Sequence, residues 1–495
     1  MRMFRTKPVE DVLAQLCDEP GEQDAPRLQR RLGPVSLMGF GIGVVIGTGI
    51  FTLTGVEAKN HAGPAVVVSF VIAGVVSALA ALCYSELASS VPTAGSAYTY
   101  AYATMGEVFA WIIGWDLVLE FALGASVVAR GWSGYLQKLF SLPTSLFGEE
   151  STVNVGAIGI VLALGVVAVV GIRESARVTN ALVAVKVAVC VFVIVAGAFY
   201  MTRDHLSPFV PAARPVANGT SGLKQPLSQV LFGLEPSAFG IAGVLTAAAV
   251  VFFAYTGFEA VANLGEETRD PGRDLPRGLL GTLAIATVLY VGVSLVVTGM
   301  VDYRELNEGA PIASAFDAVG AGWASTLVSI AAVAGLTSVI LVDIVAMGRI
   351  GYALGRDGLL PPAVAKIHPR WGTPYRVSAA FVVLVAVIAG LVPLAQLADL
   401  VSIGTLFAFV VVSIAVPVLR RTRPQLARPF RVPLSPVLPV VSALACLYLM
   451  TNLSLETWLR FVIWMVIGLA VYFGYGQRNA ALAERLRDRE RERSG

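Results

Sequence analysis

The sequence predicts an all-α polytopic membrane protein of twelve transmembrane helices. Three observations carry that prediction. The 495-residue chain is 56% hydrophobic and 14% charged, with a mean hydropathy of +0.74, whereas a soluble domain carries about 25% charged residues. Apolar runs near the ~20 residues that cross a bilayer recur along the chain. Lys and Arg are sorted unevenly among the connections between these runs. No strand-period alternation appears, so the spans are helices, which satisfy their own backbone in hydrocarbon.

The candidate spans cover 35–58, 65–90, 101–137, 153–172, 178–200, 238–266, 279–301, 322–353, 377–393, 395–419, 436–452 and 456–476. With the N-terminus in the cytosol, 26 of the 36 Lys and Arg lie in cytosolic segments and 6 in outer loops. Arg130, Lys186, Arg349 and Arg460 lie in or at the edges of spans. This bias places both termini in the cytoplasm. Residues 1–34 form a polar cytosolic tail without a signal-peptide layout, and 477–495 form a charged tail. Arg far outnumbers Lys, 30 to 6, which points to a GC-rich bacterial genome and hence to the cell (inner) membrane. Cys83, Cys190 and Cys446 fall in spans and Cys17 in the N-terminal tail. With none in an outer loop, no disulfide framework is expected.

The long connection 201–237, with Pro208, Pro211, Pro215, Pro226, Pro236 and an NGTSG turn, divides the first ten spans into sets of five, 35–200 and 238–419. An odd number of spans per set gives the sets opposite orientations, the topology of an inverted repeat. Residues 420–476 add two further helices.

The first span contains GFGIGVVIGTGIF, five of whose thirteen residues are Gly. Each Gly costs a helix interior about 1 kcal/mol relative to Ala. Gly39, Gly41 and Gly43 read as packing positions, and Gly47–Thr48–Gly49 as the point of unwinding. A dinucleotide fingerprint does not fit, because Gly47 comes one residue late and no strand precedes it. Repeat symmetry requires a second break at the start of the second set. There the chain reads FAYTGFE, placing Tyr255, Thr256, Gly257 and Glu259 at membrane depth. A broken helix offers free N–H groups at a positive dipole end for a carboxylate, and free carbonyls for an ammonium. Both charges of an α-amino acid are thereby met, with the Thr48 hydroxyl as an added donor. The candidate substrate-binding residues are Val45, Ile46, Gly47, Thr48 and Gly49 in the first break and Phe253, Ala254, Tyr255, Thr256, Gly257 and Phe258 in the second.

GVVIGTGIF, YSELASSVPTAGSAYTYAYATMGE and GWDLVLEF resemble the amino acid–polyamine–organocation (APC) superfamily. NALVAVK, FFAYTGFEAVANLGEET and RIGYALGRDGLLP resemble its cationic amino acid transporter branch. The resemblance spans roughly residues 30–375. It implies a LeuT-like fold of five plus five inverted spans with two extra helices, the first and sixth broken. By position it implies that Thr48 and Gly49 hold the substrate carboxylate and that carbonyls of Val45, Phe253 and Thr256 hold the amino group. It also implies that Phe253 closes over the substrate; Phe258 is a further candidate for the pocket wall.

Ionisable residues inside spans mark function by default. Lys186 lies roughly eight residues into its span, about 12 Å at ~1.5 Å per residue. It either snorkels to the cytosolic interface or bridges the broken first helix and span eight, loading and releasing a proton; the branch resemblance supports the second, and proton symport with it. Glu120 sits mid-span with Asp116 one turn nearer the cytosol. The resemblance puts Glu120 beside the side-chain pocket, while a structural bond to a neighbouring group is the alternative. Arg130 reads as a structural pair or an outer gate. Asp343 departs from the apolar residue that many relatives carry there, and Arg349, about 240° further round the helix, cannot neutralise it. Asp343 therefore needs a partner elsewhere, such as Lys186, Arg130 or the substrate. The resemblance implies that it faces the substrate side chain, favouring Arg, Lys or ornithine; an internal pair with Lys186 would leave the substrate neutral.

The expected function is secondary active amino acid transport, with amino acid, protons and the lipid bilayer as partners. An exchanger, a neutral amino acid carrier, a polyamine carrier and a non-transporting receptor remain alternatives. No enzyme constellation is present: His61, His205 and His368 are scattered, without metal spacing. No cofactor, metal or nucleic-acid partner is expected. Relatives that need a disulfide-linked heavy chain join it through a cysteine in the loop after span three; QKLFSLPTSLFGEEST has none, so no such partner is expected.

Overall fold

A computed structural model describes residues 31–91, 96–149, 151–171, 176–215, 222–233, 235 and 237–480. Cys17, most of both tails and residues 218–221 of the NGTSG turn lie outside the described residues. The architecture is helical. The helices are α1 (Pro34–Val45), α2 (Val66–Ser90), α3 (Ser96–Thr104), α4 (Glu107–Phe140), α5 (Val155–Val170), α6 (Ala176–Ala198) and α7 (Gly240–Val251). They continue as α8 (Pro271–Met300), α9 (Pro311–Ala318), α10 (Gly322–Arg356), α11 (Tyr375–Leu391), α12 (Leu394–Thr422), α13 (Val437–Thr451) and α14 (Leu455–Val471), with shorter helical turns between.

Among the described residues, eight helical stretches are long and apolar enough to cross a membrane, and four shorter apolar helices, α1, α5, α11 and α13, stand beside them. Large apolar side chains such as Val166, Leu444 and Ile463 are exposed on the outside of the bundle. Such an exterior suits acyl chains and would be an aggregation liability in water. The protein is a multi-pass membrane protein.

Local chemistry sets the ends. Asn154 caps α5 by accepting the Ala157 N–H at 2.9 Å, and Gly171 closes it at φ 73°. Ser454 caps α14 by accepting from the Thr457 N–H. The span expected over 101–137 is divided: α3 ends at Thr104, and Gly106, at φ 103°, turns the chain into α4. The long connection between α6 and α7 is pinched by a two-stranded antiparallel pair, Arg214–Pro215 against Ser237–Ala238.

At the centre, α4 packs along α10 and α12, and α8 packs along α1 and α2. Of the expected packing glycines, Gly41 abuts Thr282 and Val261, and Gly43 abuts Val183, whereas Gly39 meets nothing within 4 Å. Helix α14 is held to α4 by aromatic stacking of Trp115 on Trp464 at 4.6 Å, and the Trp111 Nε1 donates to the Gly468 carbonyl. Arg130 donates to the carbonyls of Ala389 and Gly390 and lies 3.5 Å from Glu149, whose other oxygen accepts the Leu394 N–H at 2.7 Å, contacts that suit either a structural pair or a gate. Glu149 lies in the connection after α4, where burial pushes its carboxyl upward and Arg130 opposes that shift. In RDGLLP, Tyr98 donates to Asp357 at 2.6 Å, tying α3 to the end of α10.

Candidate functional site

Both expected interruptions are present. Helix α1 stops at Val45, Ile46 turns extended (φ −74°, ψ 98°), and helical structure resumes at Thr48–Gly49 as a wide turn, Gly49–Leu53. The break thus falls at Ile46–Gly47, slightly earlier than the Gly47–Gly49 expectation, and Thr48 is already helical at φ −56°. In the second interruption α7 ends at Val251 and a tight turn, Phe252–Tyr255, follows. Thr256 is then extended, and Gly257 is left-handed at φ 103°. A side chain at Gly257 would be strained by that backbone, and its Cβ would lie 2.6 Å from Val44.

The two interruptions touch. A Cβ on Gly49 would collide with the backbone and side chain of Ala254, so Gly49 is set by close approach rather than by unwinding. Gly47 has room, with Val339 at 3.7 Å from a Cβ there. Tyr290 of α8 fastens the pair: its hydroxyl lies 2.7 Å from the Val45 carbonyl and 2.9 Å from the Ala254 carbonyl. The Phe253 carbonyl accepts the Thr256 N–H at 3.1 Å. Two carbonyls expected to hold an ammonium thus already have one partner each, leaving the second lone pair of each for a ligand.

The breaks open on a small cavity of about 40 Å³, well below the ~300 Å³ at which open small-molecule sites begin. Its wall includes Val45, Gly47, Thr48, Gly49, Phe253, Thr256, Gly257, Glu120 and Asp343 among the expected residues. Four expected residues point elsewhere. Ile46 is fully buried, and Ala254 packs on Gly49. Tyr255 donates to the Phe70 carbonyl at 2.8 Å, and Phe258 stands edge-on to Tyr84 and Phe409. The reason is local geometry: the turns on either side of Thr256–Gly257 direct Ala254, Tyr255 and Phe258 away from the cavity.

Sequence reasoning left Glu259 outside the binding set, yet it lines the cavity, and both its oxygens take the Gly257 N–H at 3.0 Å. The signal was a charged residue two positions past the break. Val44, Phe121, Val128 and Val339 supply an apolar wall. Asp343 faces the cavity across Gly124, where a Cβ would lie 3.2 Å from its Oδ2. The charge of Lys186 acts on Asp343 electrostatically. Lys186 stands just outside the cavity, buried to 1% exposure, and its ammonium donates to the Gly43 carbonyl at 2.6 Å. Its stem runs along Gly335 of α10, where a Cβ would approach to 3.0 Å.

Comparison with known proteins fits this geometry. A family model described as amino acid permease matches residues 32–472. The methylthioribose transporter of Bacillus subtilis is 41% identical over 490 residues, covering 97% of this chain and 99% of the relative. A branched-chain amino acid permease of the same organism is 40% identical, with 97% and 99% covered. The vacuolar cationic amino acid transporter 4 of Arabidopsis thaliana is 38% identical over 82% of this chain and 66% of its own length. On these matches the chain belongs to the amino acid permease family of the APC superfamily, whose members are membrane transporters rather than enzymes.

Proposed function

We propose that the protein is a proton-coupled amino acid symporter of the cell membrane working by alternating access. In this reading it has twelve spans, two inverted sets of five (35–200 and 238–419), two added helices and cytoplasmic termini. The observation that carries it is the meeting of both helix breaks at one cavity. Unpaired backbone is tolerated at membrane depth where it lines such a site. The substrate carboxylate is assigned to the N–H groups at Thr48 and Gly49, and its ammonium to the carbonyls of Val45, Phe253 and Thr256. Lys186 is assigned the coupling proton: charged, it ties α6 to the Gly43 carbonyl, and neutral, it gives up most of that attraction and lets α1 move.

For the side chain, the Asp343 carboxylate on the cavity wall supports a preference for cationic amino acids. A second reading, an uncharged substrate of the kind named for the two bacterial relatives, is favoured by the wall of Val44, Phe121, Val128 and Val339. In it Asp343 and Glu259 would accept hydrogen bonds from sugar hydroxyls, or the charge of Asp343 would be balanced by Lys186. Proteoliposome uptake of labelled arginine, leucine, alanine and methylthioribose, with and without a pH gradient, decides the matter. Uptake of none of them overturns the proposal.

A further inference from the structure

One turn below the cavity, along α4, lies a carboxyl group that the transport reading does not use. Asp116 has no exposed surface, and neither of its oxygens has a hydrogen-bond partner among the described residues. It is enclosed by protein rather than by lipid. Gly404 of α12 lies opposite, where a Cβ would stand 3.0 Å from Asp116 Oδ1. Tyr84 of α2 and Glu120 of α4 interact electrostatically with Asp116, and Tyr100 of α3 and Glu259 past the second break interact in turn with Tyr84. The hydroxyls of Tyr84 and Tyr100 and the Glu120 Oε1 are likewise buried without partners. No Lys, Arg or His pairs with Asp116 among the described residues.

A bare, unpaired carboxylate in such a place costs several kcal/mol. A metal ion needs a fuller set of oxygen ligands, and no group of three or more His, Cys, Asp or Glu that could hold one occurs among the described residues. The cation that fits is the proton. Asp116 and Glu120 are four residues apart on one face of α4, about 6 Å along the axis, and Glu120 opens on the cavity while Asp116 does not.

We propose that Asp116 is a second proton-binding residue of the transport cycle, distinct from Lys186 and reached from the cavity through Glu120. The inference rests on the transport reading above. With the cavity closed the proton sits on Asp116, and Glu120 carries the negative charge of the pair, ready for a substrate ammonium or guanidinium. On release the Asp116 O–H breaks and an O–H forms on Glu120, directly or across one water, so the negative charge moves from Glu120 to Asp116 and nothing is oxidised. The reverse transfer reloads Asp116.

The test uses the full chain in lipid nanodiscs and in proteoliposomes. Infrared spectroscopy should show a protonated-carboxyl C=O stretch that disappears in Asp116→Asn and survives, shifted, in Glu120→Gln. In liposomes with a labelled mixture of leucine, arginine and alanine, Asp116→Asn should keep counterflow exchange within about twofold and lose pH-driven accumulation by about tenfold or more. Asp116→Glu should restore accumulation. An unchanged infrared band in Asp116→Asn overturns the proposal, as does wild-type accumulation by that variant. If Asp116→Asn does not fold, Gly404→Ala, which crowds Asp116 Oδ1, must shift the same band, and an unmoved band overturns the proposal. If the wild type carries none of the three labels, the transport reading fails, and the infrared arm still decides whether Asp116 holds a proton.

Discussion

The Lys186 ammonium donates to the Gly43 carbonyl at 2.6 Å, joining α6 to the last turn of α1 before its break. A buried cation is thereby held by a backbone group of the element whose movement the proposed cycle requires. Lys186→Met keeps the stem that packs on Gly335 and removes the charge. It should abolish pH-driven uptake in proteoliposomes. Undiminished uptake by this variant would remove the proton-coupling role.

Tyr290→Phe leaves the carbonyls of Val45 and Ala254 without their shared donor. Losing a buried hydrogen-bond partner costs about 1–3 kcal/mol. The expected result is a lowered thermal midpoint together with a raised KM, because both carbonyls lie at the breaks. A change in neither would show that the bridge is incidental.

Gly49→Ala and Gly47→Ala form a matched pair. The first forces a methyl into Ala254, while the second meets Val339 only at 3.7 Å. Gly49→Ala should fail to fold or lose all transport, and Gly47→Ala should retain a folded, monodisperse protein in size-exclusion chromatography. Equal outcomes for the two would contradict the close approach.

Asp343→Asn separates the substrate readings. Under the cationic reading, arginine competition against labelled alanine should weaken by about tenfold, near 1.4 kcal/mol. Unchanged competition would leave the uncharged reading standing.

Much of this arrangement was legible in the sequence because backbone interruptions are local. Glycine density announced the first break and FAYTGFE the second, although the first lies at Ile46–Gly47, slightly ahead of its expected place. The split between α3 and α4 had its signal in Gly106, which was read as part of a span. The contacts that close the site were not legible. Tyr290 is 245 residues from Val45, and no spacing rule links them. Gly49 was assigned to unwinding because its real neighbour, Ala254, is equally remote along the chain. Side-chain direction was the other gap: Tyr255 and Phe258 flank the break yet turn into aromatic and backbone contacts behind it.

The seam between Gly49 and Ala254 has a mechanical consequence. With no space for even a methyl group there, the two interrupted elements mesh like adjacent gear teeth. Neither can rotate far alone without parting from the other, so in the proposed alternating-access cycle opening towards one side of the membrane and closing towards the other are geared to the same seam. A cross-link across it would stall the cycle in whichever state it was made.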